Sequence, residues 1–232
     1  MMKLLLVASD PMEFRGILTV TAQPRKVDVA VDWARCGGIN GHEVLLVANG
    51  VGRKRAAAAV DAALPNFPAD RVISTGFCGA VDPQLVAGGV VVGTLVAAAG
   101  QRFGALAVAS PRAFALGVVW TVDQVARSAE GKRALRAAGG SVVEMEAAGV
   151  AERAEALQVP FSCVRAVTDL AGEDMANDFG AALRFDGHFD TMRIIGDALR
   201  HPAARLPELI RLQRRGVRAA RALGEFFADC RF

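Results

Sequence analysis

The chain has 232 residues, 53% of them apolar and 22% charged, with a net charge of +3, enough to bury a large core as one α/β domain spanning residues 1–232. That charge is too small, and aromatic-basic interleaving too sparse, for a nucleic-acid binder. The apolar runs, such as residues 90–99, fall short of the roughly 20 residues a membrane span requires. Four scattered cysteines, Cys36, Cys78, Cys163 and Cys230, lack any paired spacing for zinc or a disulfide framework, so no metal and a reduced, cytoplasmic setting are expected.

Residues 3–8 read as a buried first strand, because the apolar opening runs into Ser9-Asp10-Pro11 without a signal-peptide cleavage site. Residues 27–34 and 43–48 are expected to pair across a turn made by Gly37-Gly38-Ile39-Asn40-Gly41. After Asn49-Gly50-Val51-Gly52 an Ala-rich helix covers residues 53–64 and stops at Pro65. Residues 71–75 form a strand running into Gly76-Phe77-Cys78-Gly79, and further strands are expected at 88–97, 116–121, 141–143 and 161–167. Helices are expected at 128–138 and 147–157, with a helical tail from about Asp190. Strands separated by helices indicate βαβ units, hence a three-layer αβα sandwich around a mixed, largely parallel twisted sheet.

In such a sheet ligands bind beyond the carboxyl ends of the strands. Asp10 to Glu13, Gly76 to Gly79 and Thr168-Asp169 fall at such ends. A carboxyl group there, shielded from water, can donate a proton to a leaving group, and a second one can activate water. Asp169 and Glu13 are the candidates, while Glu144 and Glu146 can accept hydrogen bonds from a diol or stabilise a developing cation. Plainer roles stay open: Asp169 as a turn cap, Glu13 as a helix opener, Glu144 and Glu146 as first-turn acids at a helix dipole. Gly52 with Arg53 could cradle an anion at a helix start or form an ordinary turn. The Phe185-Asp186-Gly187-His188-Phe189-Asp190 segment reads as a surface loop, since its spacing matches no common metal site.

The order of Asn49-Gly50-Val51-Gly52, Ser74-Thr75-Gly76-Phe77-Cys78-Gly79, Val143-Glu144-Met145-Glu146-Ala147 and Arg165-Ala166-Val167-Thr168-Asp169 resembles the purine nucleoside phosphorylase and methylthioadenosine/S-adenosylhomocysteine nucleosidase superfamily, from Lys3 to about Phe179. The resemblance implies cleavage of the N-glycosidic bond of an adenine nucleoside with a 5′ substituent. Asp169 would assist departure of the base at N7, and Glu13 would activate water. Met145 and Glu146 would hold the ribose, and Phe179 would cover it. Phe77, Cys78, Gly79, Glu144 and Thr168 complete the expected substrate site. Glu13 matches the family's catalytic glutamate with one residue inserted, Met12 being the ungapped equivalent. No cofactor is implied, and phosphate would enter only as a co-substrate of a phosphorylase. Such phosphorylases often carry Arg before the glycine turn and Ser or Thr within it, where this chain has Ser74 and Phe77. A phosphorylase, with Gly52 and Arg53 as anion binders, and a catalytically silent nucleoside-binding protein are the alternatives.

The short stretch between Val96 and Leu116 resembles a hopanoid-associated branch, thought to remove adenine from an adenosyl group on a lipid. The tail interleaves Arg211, Arg214, Arg215, Arg218 and Arg221 with Leu209, Ile210, Val217, Leu223 and Phe226. That pattern suits either peripheral contact with an anionic membrane or a docked amphipathic helix. A homo-oligomer is expected from the family.

Overall fold

In the first strand, β1 (Lys3–Ala8), every residue after Lys3 is apolar and buried, as a strand covered on both faces requires. The computed structural model describes residues 1–232. A short 3₁₀ turn (Pro11–Phe14) leads to α1 (Arg15–Val20), then β2 (Ala22–Lys26), β3 (Trp33–Ile39), β4 (His42–Ala48) and α2 (Arg53–Ala63). β5 (Arg71–Ala80), β6 (Val90–Ala98), β7 (Gln101–Gly104) and β8 (Ala115–Thr121) precede α3 (Ala129–Ala137) and β9 (Val142–Glu144). α4 (Ala147–Ala156), β10 (Phe161–Asp169), α5 (Phe179–Ala182), α6 (Thr191–Arg200) and α7 (Pro202–Ala228) follow.

Strand alternation sorts the core into two layers. Leu5 and Val7 of β1 face one cluster with α2 and α4, through Ala56, Val60, Val150 and Ala154. Leu4 and Leu6 face the other, with Phe14, Ile17, Leu223 and Phe227 of the 3₁₀ turn, α1 and α7. The protein is therefore an α/β fold with helices on both faces of a central mixed sheet.

Two features of the sheet go beyond the expected sandwich. β1 pairs in parallel with β4 and β5, and β5 with β10, but β10 then pairs antiparallel with β6. β6 continues through β8 and β9 back to β5, so five strands close into a ring. β5 makes this closure by leaving β1 after Ser74 and meeting β9 at Gly79. Gly76, at φ 133°, supplies the bend, in a region of backbone space that only glycine occupies readily. The hairpin forms at Asn40-Gly41 with β3 beginning at Trp33, so residues 27–32 lie outside it; β2, exposed throughout, has no apolar signal in the sequence.

α7 is docked along most of its length. Leu223 and Phe226 are buried, whereas Ile210 and Val217 are exposed. A Cβ on Gly16 would lie 1.8 Å from the Ala220 carbonyl oxygen, and one on Gly224 2.3 Å from that of Gly16, so these two glycines permit α1 and α7 to touch backbone to backbone.

Candidate active site

The carboxyl ends of β1, β5 and β10, with the chain after β9, surround a cavity of about 470 Å³. Glu13, Phe77, Cys78, Gly79, Glu144, Met145, Glu146, Thr168 and Asp169 all line it. Its 22 lining residues include no lysine or arginine.

Glu13 is brought inward by a tight capping arrangement. Its Oε2 accepts from the Ser9 amide at 2.9 Å, the Ser9 hydroxyl at 2.8 Å and the Asp10 amide at 3.1 Å, and its Oε1 accepts from the Phe77 amide at 2.6 Å. A Cβ at position 76 would sit 2.4 Å from Oε1, so Gly76 both bends β5 and makes room for the carboxylate. Burial raises the pKa of Glu13; nearby Arg165 and the hydrogen bonds pull the other way.

Glu144 has a different task. Its Oε1 accepts from Thr121 Oγ1, and its Oε2 from Arg165 at 2.5 Å and from the Glu146 and Ala147 amides at 2.9 and 2.8 Å. The carboxylate is thus occupied in capping the first turn of α4 and neutralising Arg165, which leaves it little capacity for a diol. Glu144 nevertheless lines the cavity, where a substrate residue was expected, and carries these structural contacts in addition. Arg165 is fully buried and also donates to Ser74 Oγ at 2.7 Å and the Thr75 carbonyl at 2.8 Å, tying β10 to β5 beneath the cavity.

Glu146, by contrast, has only neutral donors. Its Oε1 accepts from the Gly52 amide at 3.0 Å. Its pKa is raised to about 8, by burial first and then by the charges of Glu144 and Glu13, against Arg165 and the Gly52 hydrogen bond. This contact also removes the expected anion cradle. The Gly52 amide is taken by a carboxylate, and Arg53 turns aside to Gln101 at 2.6 Å and Glu152 at 3.4 Å, outside the cavity wall.

A β-bulge between Val167 and Asp169 presents Thr168 and Asp169 to the cavity. A Cβ at position 79 would come within 2.6 Å of Asp169 Oδ2, which explains a glycine there. Thr168 Oγ1 lies 3.1 Å from Asp169 Oδ1 and 3.2 Å from the Cys78 carbonyl. Burial pushes the Cys78 thiol well above its ordinary pKa, so at neutral pH it is an uncharged wall group and not a nucleophile.

Phe179 does not reach the cavity. Phe189 does, and Phe179 stands behind it with ring centroids 6.2 Å apart in a T-shaped pair. The chain turns back after α5, Leu183 bridging to Phe189, so the aromatic that lines the cavity stands ten positions after the expected Phe179. The segment read as a plain surface loop therefore supplies one wall, with Gly187, His188 and Phe189, and His188 Nε2 lies 3.0 Å from Asp32 Oδ2. Met12 lines the cavity beside Glu13, so both residues competing for one role in the sequence are present. Lys132 carries no signal in the sequence that marks it as part of the site. It is buried and its Nζ lies 2.5 Å from Asp169 Oδ2, although a lysine in a helix rich in charged residues reads as solvated surface.

The carboxylate-lined cavity lies at the carboxyl ends of a central sheet, where α/β folds hold small-molecule ligands. The chain belongs to the phosphorylase superfamily, whose family model matches residues 4–106 and 94–187. It is 28% identical over 205 residues to the 5′-methylthioadenosine/S-adenosylhomocysteine nucleosidase of Glaesserella parasuis serovar 5, covering 75% of this chain and 88% of that one. The fold is also that of the 5′-methylthioadenosine/S-adenosylhomocysteine nucleosidase of Neisseria meningitidis in complex with methylthio-immucillin-A, with TM-score 0.73 and 22% identity over 98% of this chain and 99% of that one. The corresponding enzyme of S. pneumoniae with a transition-state inhibitor gives TM-score 0.71 and 21% identity, over 98% and 99%.

Proposed function

We propose that the protein is a nucleosidase that hydrolyses the N-glycosidic bond of an adenine nucleoside carrying a 5′ substituent. The observation that carries this reading is the lining of the cavity: the carboxyl groups of Glu13, Glu146 and Asp169 stand in it, and no lysine or arginine does. As the bond between C1′ and N9 breaks, the sugar becomes oxocarbenium-like, and fixed negative charge in a dry site stabilises that cation. With no lysine or arginine in the wall, phosphate has no cationic partner there, which favours water as the nucleophile.

In this reading Asp169 delivers a proton to N7, so that the bond electrons leave into a neutral purine. Glu146 accepts from the ribose hydroxyls, with Met145 packed beneath the sugar and Phe189 in the covering role. Glu13 orients water through the remaining lone pair of Oε1 and takes its proton as the new bond to C1′ forms. Burial makes Glu13 a stronger base than an exposed glutamate.

The 5′ substituent is an apolar one, in the manner of an adenosyl lipid. Thr191, the first residue of α6, lines the cavity, and Met192, Ile195 and Leu199 of the same helix form an exposed apolar row. A hydrophobic tail leaving past Phe189 would run onto that row. Arg211, Arg214, Arg215 and Arg218 flank a groove on α7 that suits anionic headgroups, giving peripheral membrane contact a physical basis. The protein is accordingly read as cytoplasmic, and exposed Leu106 and Leu116 offer apolar surface for self-association.

The test is a panel of methylthioadenosine, S-adenosylhomocysteine, futalosine, inosine and an adenosyl lipid, each with and without phosphate, followed by base release. The expected result is adenine release independent of phosphate, lowered about 10² to 10⁴-fold by Asp169→Asn with little change in KM. Formation of ribose 1-phosphate only with phosphate present would establish a phosphorylase. No release from any substrate, despite binding, would leave a nucleoside-binding protein.

A further inference from the structure

The buried cation behind Asp169 stands apart from every group that lines the cavity. α3 is fixed at its start by Ser128, whose side chain accepts from the Gly131 amide at 3.0 Å, and by Asp174, which accepts from the Ala129 amide at 2.7 Å. From that anchored first turn Lys132 extends inward. Its side chain is 0% exposed, and its Nζ donates to Asp169 Oδ2 at 2.5 Å and to the Leu170 carbonyl at 2.8 Å. It lies outside the cavity wall, so no substrate group meets it.

A buried position on α3 that needed only to be filled would be served by an apolar residue, because desolvating an ammonium is costly unless its charge is used. We propose that Lys132 is the positioning residue for Asp169, holding Oδ2 so that Oδ1 carries the proton toward N7 and compensating the carboxylate charge that appears when that proton leaves. The inference rests on the nucleosidase reading. The O–H bond at Oδ1 breaks as the N7–H bond forms, the electron pair of the bond between C1′ and N9 passes into the purine, and Lys132 keeps its own protons. With Oδ1 protonated, the Thr168 hydroxyl has the Cys78 carbonyl as its acceptor at 3.2 Å. Because the ammonium is already in place before the charge develops, it acts most strongly in the transition state.

A leaving group that needs no proton separates this role from a merely structural one. Wild type, Lys132→Met, Lys132→Arg, Asp169→Asn and the Lys132→Met/Asp169→Asn double variant are assayed on 5′-methylthioadenosine and on the p-nitrophenyl 5-methylthioriboside, whose phenolate departs unprotonated. Lys132→Met should lower kcat for adenine release about 100-fold with KM changed less than about 3-fold, while p-nitrophenolate release changes less than about 3-fold. Lys132→Arg should recover part of the loss, and the double variant should be no slower on 5′-methylthioadenosine than Asp169→Asn alone. The double variant lacks both charges, so it gives a folded comparison if Lys132→Met alone does not fold. Equal losses on both substrates, no loss on either, or a double variant much slower than Asp169→Asn would overturn the proposal. A wild-type protein that releases no base would overturn the nucleosidase reading and this inference with it; active wild type with an indifferent Lys132→Met would overturn this inference alone.

Discussion

On the floor of the cavity two carboxylates face buried cations, Glu144 on Arg165 and Asp169 on Lys132, whereas Glu13 and Glu146 are satisfied by neutral donors alone. Glu144 is held by its ion pair and binds β9 and α4 to β10, while the Lys132 ammonium donates to Oδ2 of Asp169 and holds it beside Gly79 with Oδ1 left for the reacting proton. The unpaired two keep raised pKa values, because burial is offset only in part by hydrogen bonds and by Arg165 at a distance. These four buried acids thus stand in two conditions, one suited to architecture and orientation, the other to accepting protons and hydrogen bonds.

Breaking the Arg165–Glu144 pair attacks this division most directly. Arg165→Met leaves Glu144 buried without its cation and Ser74 without its donor, and should cost about 3–5 kcal/mol in urea or thermal unfolding. A loss below about 1 kcal/mol would mean that Glu144 is not held by charge. Glu146 sharpens the other side of the contrast. Its folded pKa, about 8, lies above its unfolded value, so its contribution to stability is present below about pH 4.5 and lost as pH rises through 8. Activity should run the opposite way, because the ionised form is the better acceptor for the ribose and the better counter-charge for the cation. The expected kcat/KM therefore rises with pH through about 8, and Glu146→Gln removes both that limb and the matching fall in Tm. A limb that survives in Glu146→Gln would assign it to another group.

The smallest expected effect compares two aromatics at the rim. Phe189→Ala should raise KM about 10-fold, since a stacked or edge-on ring contributes about 0.5–1.5 kcal/mol beyond its buried area. Phe179→Ala, acting only through the ring in front of it, should change KM by about 2-fold. The reverse order would return the covering role to Phe179.

Much of the floor was legible in the sequence because its signals are local. Apolar runs ending near Asp10 and at Asp169 place those residues at strand ends by periodicity, whereas β5 runs on through Gly76 to Ala80; Glu146 precedes a helix whose start is plain. The rim was not legible. The position of Phe189 depends on a reversal after α5 that carries no apolar period, and the ten-residue offset could not be read from spacing. Gly52 and Arg53 look like an anion site in a strand-to-helix turn, and only the arrival of Glu146 from 94 positions away assigns the Gly52 amide elsewhere.

The sequence by itself determined the layered α/β architecture, the strand ends where the acids sit and the family to which they belong, because each follows from short-range patterns of burial, turn chemistry and motif. Tertiary structure decided which acids are free to react. Closure of the sheet through Gly76 and the inward reach of Arg165 and Lys132 set the charge around each carboxylate, and an electrostatic environment is a property of neighbours in space that no stretch of chain contains.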